Sequence, residues 1–202
     1  MATDNYANNT DNDDQSLNKV LDKGGEVREG EELDAQAVSN WLREQGVDIE
    51  GEPTVTQFSG GASNWTYRLQ YEGAGKSQHL ILRRPPKGTK AKSAHDMVRE
   101  YTVQKALKDV YPYVPKMVAL CTDENVIGAD FYVMERMEGI IPRANLPKGI
   151  DLDVEQTRAL CTNVIDALVD LHQVDYKEHP DLVNLGRGEG YCERQVTGWD
   201  KR

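Results

Sequence analysis

The spacing of apolar residues changes along the chain and divides it into three segments. Residues 1–33 carry nine acidic, three basic and one aromatic side chain. Such a stretch buries too little apolar surface to offset the entropy lost on ordering, so it is predicted to be a disordered acidic tail. Residues 34–138 alternate between helical and strand spacing, and residues 139–202 return to helical spacing.

The pattern in residues 34–138 predicts one short helix followed by the order β-β-β-α-β-β. The short helix begins at Asp34, a residue type that caps helix N-termini, and ends at Gly46. Period-two alternation, bounded by Gly and Pro, marks the strands. The predicted strands are 54–58, 65–71, 78–83, 117–121 and 131–137, and the predicted inner helix is 93–109.

Residues 139–202 are predicted to open a helical layer. Asp153 and Gln156 have the spacing of a capping box at the start of a long helix. Apolar residues recur on one face of that helix, and an uncovered stripe of this kind would favour self-association. The stripe consists of Leu160, Val164, Ala167, Leu168 and Leu171.

Composition narrows the classes of partner. The chain has 202 residues, a net charge of -10 and a pI of about 4.9. This charge repels a phosphate backbone, so nucleic acid is not an expected partner. The longest apolar run, residues 117–121, is far short of a membrane span. The first thirty residues have neither an apolar centre nor a basic leader, so a cytoplasmic location is expected.

A loop of small residues lies between the first two predicted strands, and we call residues 59–64 the small-residue loop. Short side chains let backbone N–H groups approach an anion closely, so this loop could cover a nucleotide phosphate. A plain hairpin loop is the alternative that its composition leaves open. The loop consists of Ser59, Gly60, Gly61, Ala62, Ser63 and Asn64.

Two further features have the pattern of a nucleotide site. Arg83 ends the third strand and Glu100 lies in the following helix, as in the cation–carboxylate pair with which kinases hold phosphates. An exposed surface ion pair is an equally good interpretation of this spacing. The fifth strand then leaves the sheet near Glu135 and Met137, where its backbone could contact a purine edge.

These segments together resemble the aminoglycoside phosphotransferase and choline kinase-like superfamily, particularly its branch related to domains found beside acyl-CoA dehydrogenases. The resemblance covers about four fifths of the chain and the N-terminal half of the family's domain. It rests on the order of five stretches: FSGGASNWTYRL, LILRRPP, AHDMVREYTVQKAL, VPKMVALCTDENVIGADFYVMERMEGIIP and ALVDLHQVD.

The resemblance implies an α+β fold: a protein-kinase-like N-lobe, with a five-stranded antiparallel sheet and one packed helix, followed by the start of a helical C-lobe. It implies ATP and Mg²⁺ as cofactors and transfer of a phosphoryl group to a small-molecule hydroxyl. By the resemblance, residues 59–64 form the nucleotide loop, Arg83 binds phosphate with Glu100 as its partner, and the backbone of Glu135 to Met137 contacts adenine. A guanidinium can bind phosphate in bidentate fashion, so arginine in place of the commoner lysine keeps this role.

One departure from the family pattern affects the expected activity. The family has a His-Gly-Asp catalytic loop followed by an Asn and a metal-binding Asp, and no histidine here is followed by Gly-Asp. We therefore expect a nucleotide-binding half whose catalytic Asp and metal ligands lie in a missing C-terminal part. Two alternatives stay open: a non-catalytic module that binds nucleotide or protein, and a generic α+β interaction domain. The acceptor substrate cannot be inferred from these residues.

Overall fold

The computed structural model describes residues 21–59, 63–73, 77–88, 95–142, 145–186 and 189–200. Five antiparallel strands form one sheet in the order β1-β2-β3-β5-β4. The strands are β1 (Thr54–Gln57), β2 (Trp65–Glu72), β3 (Ser77–Arg84), β4 (Met117–Cys121) and β5 (Phe131–Glu135). The helices are α1 (Ala35–Glu44), α2 (Met97–Leu107), α3 (Glu124–Ile127), α4 (Val154–Gln173), α5 (Pro180–Leu185) and α6 (Tyr191–Asp200), with a 3-10 turn at Tyr176–Glu178. The predicted α+β fold is confirmed.

The core lies between one face of the sheet and helix α1. Alternate residues of the central strands point to this face and are fully buried, as period-two spacing requires. From α1, Val38 and Leu42 enter the same core, and the ring of Trp41 meets Phe131 edge-on with centroids 5.1 Å apart. The buried strand residues include Tyr67, Leu69, Tyr71, Leu80, Leu82, Phe131 and Val133.

Local signals explain where α1 and α4 begin. The carboxylate of Asp34 accepts a hydrogen bond from Ala37 N–H at 2.9 Å, which caps α1 as predicted. At α4, Asp153 and Gln156 exchange both bonds of a capping box, also as predicted. The apolar side chains along α4 are largely exposed, with Val164 60% and Leu168 47% accessible. None of the helices in the described ranges has the length and apolar content needed to cross a bilayer.

The structure adds one element to the predicted pattern and shortens another. Between β4 and β5 the chain forms the one-turn helix α3, because Asp123 caps the N–H of Asn125 at 2.9 Å. Gly128, with φ of 77°, then ends that helix in the left-handed region. Strand β5 ends at Glu135 instead of residue 137, although Arg136 N–H still donates to His79 C=O at 3.2 Å.

Residues 21–33, which we call the N-terminal segment, contact the sheet instead of continuing the predicted tail. Gly25 pairs with Gln57 of β1 through two backbone hydrogen bonds of 2.8 and 2.9 Å. The hydroxyl of Tyr67 donates to the Glu31 carbonyl at 2.6 Å, and Val27 and Leu33 pack against the core. These contacts were not predicted, because the apolar content of the segment is low. Backbone pairing does not depend on side-chain composition, and two apolar residues change the composition very little.

Two adjacent glycines in this segment provide a matched test of its attachment. A Cβ on Gly24 would lie 2.5 Å from Thr56 Oγ1 and 2.8 Å from Thr56 Cβ, whereas a Cβ on Gly25 would meet nothing within 4 Å. We expect Gly24→Ala to weaken attachment of the segment by about 1–3 kcal/mol through overpacking, and Gly25→Ala to leave it unchanged. Hydrogen exchange of the Gln57 amide measures this, and equal protection in both variants would contradict it.

Candidate functional site

A cleft of about 580 Å³ opens on the face of the sheet opposite α1. Strand alternation places Thr66 of β2, Ile81 and Arg83 of β3 and Met134 of β5 on this face, since the residues beside them enter the core. Residues 135–139, which we call the connector, form one wall. Apolar atoms dominate the lining, with charged groups at the margins, which suits a flat ligand with a charged end. Further lining residues are Asp22, Phe58, Gln104, Pro115, Ile140 and Ile141.

The structure brings Arg83 and Glu100 together beside this cleft. The two side chains form an ion pair with 3.5 Å between Arg83 Nη2 and Glu100 Oε2, and each is about one third exposed. Asp96 caps α2 and thereby fixes the first turn that carries Glu100. Arg83 Nε is buried and has no hydrogen-bond acceptor among the described residues. The guanidinium therefore has donor capacity beyond its pairing with Glu100, as an anion-binding group requires.

The side chains of Asn64 and Tyr132 also hold the Glu100 carboxylate, and the sequence did not predict this contact for either residue. The amide of Asn64 donates to Glu100 Oε1 at 2.8 Å, and the hydroxyl of Tyr132 donates to Glu100 Oε2 at 3.0 Å. Burial raises the pKa of Tyr132 to about 12, so its hydroxyl keeps its proton at neutral pH. Gln104 in turn donates to the Tyr132 hydroxyl at 3.2 Å. The carboxylate is thus held by the residue just before β2, by β3 and by β5 at once.

The small-residue loop is described only at its ends, because Gly60, Gly61 and Ala62 lie outside the described residues. Ser59 and Ser63 are exposed at the two margins. Asn64 is only 4% accessible and its side chain is bonded to Glu100 and His95, so it faces inward rather than a ligand. The predicted anion-binding role of this loop stays a prediction.

The connector has the backbone geometry of a strand that is leaving the sheet. Glu135 N–H donates to the Lys116 carbonyl at 2.9 Å, and Arg136 N–H donates to His79 C=O. Within the described ranges, nothing accepts a hydrogen bond from Met137 N–H, and Met137 is 58% exposed beside the cleft. Of the predicted adenine contacts, the N–H of Glu135 is therefore already occupied, whereas that of Met137 has no acceptor among the described residues.

Arg136 closes the connector end of the cleft, a role that the sequence did not indicate. Its side chain is 7% exposed, and its guanidinium pairs with Glu138 at 2.7 Å and donates to the Asp22 carbonyl at 3.1 Å. Asp22 N–H also donates to the Gly139 carbonyl at 3.3 Å. The N-terminal segment is thereby attached to the connector as well as to β1.

The described residues fit a nucleotide but not a metal ion. The fit to a nucleotide rests on the buried Arg83 Nε, the apolar cleft and the connector backbone. In the part of the chain that the structure describes, no group of three His, Cys, Asp or Glu side chains could hold a metal. We therefore assign no Mg²⁺ ligand among the described residues.

Comparison with known proteins gives a family match and several relatives. A model of the phosphotransferase enzyme family matches residues 54–202. Acyl-CoA dehydrogenase family member 11 is 34% identical over 181 residues in Homo sapiens and 40% identical over 153 residues in Gallus gallus. These alignments cover 88% and 75% of this chain, but 22% and 18% of the relatives. The chain thus spans about a fifth of the length of these curated relatives.

Among solved structures, the chain is similar to a crystal structure of a "putative aminoglycoside phosphotransferase" from Ralstonia eutropha JMP134. The TM-score is 0.61 at 31% sequence identity, over 84% of this chain and 47% of that one. This agreement of fold and sequence supports the kinase-like architecture described above.

Proposed function

Because the chain belongs to the phosphotransferase enzyme family, we propose that its cleft binds ATP for transfer of a phosphoryl group to a small-molecule hydroxyl. The observation that carries the proposal is the Arg83–Glu100 ion pair at the margin of an apolar cleft. Positioning and charge stabilisation supply most of the catalysis in phosphoryl transfer, so a fixed cation at this place has a direct use.

The two ends of the cleft suit the two ends of ATP. Ile81 and Met134 provide apolar surface for a purine, and the connector offers Met137 N–H as a donor to its edge. Arg83 provides a guanidinium, whose planar fork of donors matches phosphate geometry. Ser59 and Ser63 lie at the margins of the small-residue loop, which the proposal assigns to the phosphates.

The proposal assigns nucleotide binding, and not the transfer step, to the described residues. The sequence contains no His-Gly-Asp, so the group that takes the acceptor's proton and the ligands for Mg²⁺ are assigned to polypeptide beyond these 202 residues. The names of the relatives mention acyl-CoA dehydrogenase and aminoglycoside phosphotransferase. Fold alone does not fix an acceptor, so the proposal is limited to a hydroxyl on a small molecule.

A titration series tests nucleotide binding directly. We expect the affinity of the wild-type chain to fall in the order ATP, ADP, AMP, adenosine, because each phosphate removed takes charge away from Arg83. ATP should bind at least about tenfold more tightly than adenosine, the value of one charge-assisted hydrogen bond. Calorimetry in a buffer with Mg²⁺ measures this, with tripolyphosphate as a control for binding without the base.

The outcome of that series also separates the alternatives. Equal affinities for ATP and adenosine would remove Arg83 from the site, and absence of all binding would favour a protein-interaction module. The exposed apolar side chains of α4 are the observation that favours such a module, since they could mediate self-association.

A further inference from the structure

We infer that Asn64 is a positioning residue for the Arg83–Glu100 pair. Its side-chain amide holds the Glu100 carboxylate in the orientation that presents Arg83 to the cleft, and ties the end of the small-residue loop to helix α2. This inference rests on the proposed function, because it concerns how the phosphate-binding cation is held.

The hydrogen bonds around Asn64 determine the orientation of its amide. Nδ2 lies 2.8 Å from Glu100 Oε1, and Oδ1 lies 2.8 Å from His95 Nδ1. The reverse orientation would set the amide oxygen against a carboxylate oxygen, which repels. The amide must therefore donate to Glu100, and His95 Nδ1 must carry a proton in order to donate to Oδ1.

The bonds to Glu100 are divided between its two carboxylate oxygens. Oε1 accepts from Asn64, whereas Oε2 accepts from Tyr132 and pairs with Arg83. Without the bond at Oε1, the contacts at Oε2 alone would oppose rotation of the carboxylate about its terminal torsion, which is broad for glutamate. Rotation would carry Oε2 away from Arg83, so the amide of Asn64 acts on the guanidinium through Glu100.

The position of Asn64 in the chain adds a second effect. It is the last residue of the small-residue loop and directly precedes Trp65, the first residue of β2. Through His95 and Glu100 it bonds both the residue just before the α2 cap and the first turn of α2. Asn64 itself is only 4% accessible, and a buried amide that loses its hydrogen-bond partners is destabilising. The loop margin and the helix that orients Arg83 are therefore held as one unit.

Nucleotide affinities test the effect on Arg83. We expect Asn64→Ala to weaken ATP binding by about threefold to tenfold and to leave adenosine binding unchanged, because only the phosphate contact depends on the orientation of Glu100. Asn163→Ala, at an exposed position of α4, is the matched control and should alter neither affinity. A purely structural asparagine would instead change both affinities together or neither.

A measurement without nucleotide tests the bond itself. Asn64→Asp places two carboxylates against each other, and we expect it to lower the urea midpoint of unfolding. Adding Glu100→Gln restores a donor and an acceptor between the two positions, so the double variant should be more stable than the two single changes predict when summed. Additive changes in the midpoint would overturn the inference.

The outcomes separate this inference from the function on which it rests. If wild-type protein prefers ATP to adenosine and Asn64→Ala keeps the full preference, the inference is overturned and the proposed function stands. If wild-type protein shows no such preference, both are overturned. A preference for ATP that is about threefold to tenfold smaller in Asn64→Ala, together with non-additive midpoints, supports the inference.

Discussion

Replacing Arg83 with alanine is expected to weaken ATP binding by about tenfold to a hundredfold, the value of a charge-assisted hydrogen bond to phosphate. Adenosine affinity should stay unchanged, because the guanidinium lies at the charged margin of the cleft and not against its apolar surface. Calorimetric titration of both ligands into wild-type and variant protein measures the difference. The ATP affinity of Arg83→Lys should fall between those of the wild-type protein and Arg83→Ala, since an ammonium keeps the charge but not the bidentate geometry.

Arg158→Ala provides the control for a general loss of positive charge. Arg158 is exposed on α4, and its removal should leave both affinities within error of wild type. If Arg83→Ala bound ATP as tightly as wild-type protein does, the nucleotide site would have to be placed elsewhere.

The largest loss of stability is expected from Phe131→Ala. Phe131 is fully buried at the start of β5 and packs edge-on against Trp41 of α1, so truncation leaves a cavity between sheet and helix. Changes of this kind cost about 3–5 kcal/mol in the free energy of unfolding. Urea denaturation followed by tryptophan fluorescence measures the loss.

A matched substitution on the surface separates this cavity effect from loss of apolar volume in general. Val154 is 86% exposed at the start of α4, and Val154→Ala should alter the free energy of unfolding by less than about 0.5 kcal/mol. A loss below 1 kcal/mol for Phe131→Ala would show that α1 does not close the core at this point.

Periodicity and capping residues were sufficient to predict the sheet, the order of its strands along the chain and the starts of α1 and α4. These features are local: Asp34, Asp153 and Gln156 bond to groups within three residues of themselves. The proximity of Arg83 and Glu100 was also predicted, because a strand-end cation followed by a carboxylate in the next helix is the pattern of a kinase phosphate site. The ion pair observed at 3.5 Å agrees with that expectation.

The rest of the site depends on contacts that spacing does not encode. Tyr132 reaches Glu100 only because β5 pairs with β3 in the register that sets Tyr132 opposite Arg83. Asn64 looked like a ligand-facing loop residue, because its polar side chain gives no sign of burial in the sequence. The contacts of the N-terminal segment were missed for a related reason, since they rest on backbone pairing with Gln57 and not on an apolar run.

The N-terminal segment is attached at two points, and this limits how far the cleft can open. Asp22 is hydrogen-bonded to the connector. Three residues later, Gly25 is hydrogen-bonded to Gln57 of β1, which precedes Phe58 in the lining of the cleft. Three residues of fully stretched chain span at most about 10–11 Å. An opening motion that separated these two attachment points by more than this distance would have to break the hydrogen bonds at one of them. The segment therefore sets an upper limit on their separation across the entrance of the cleft.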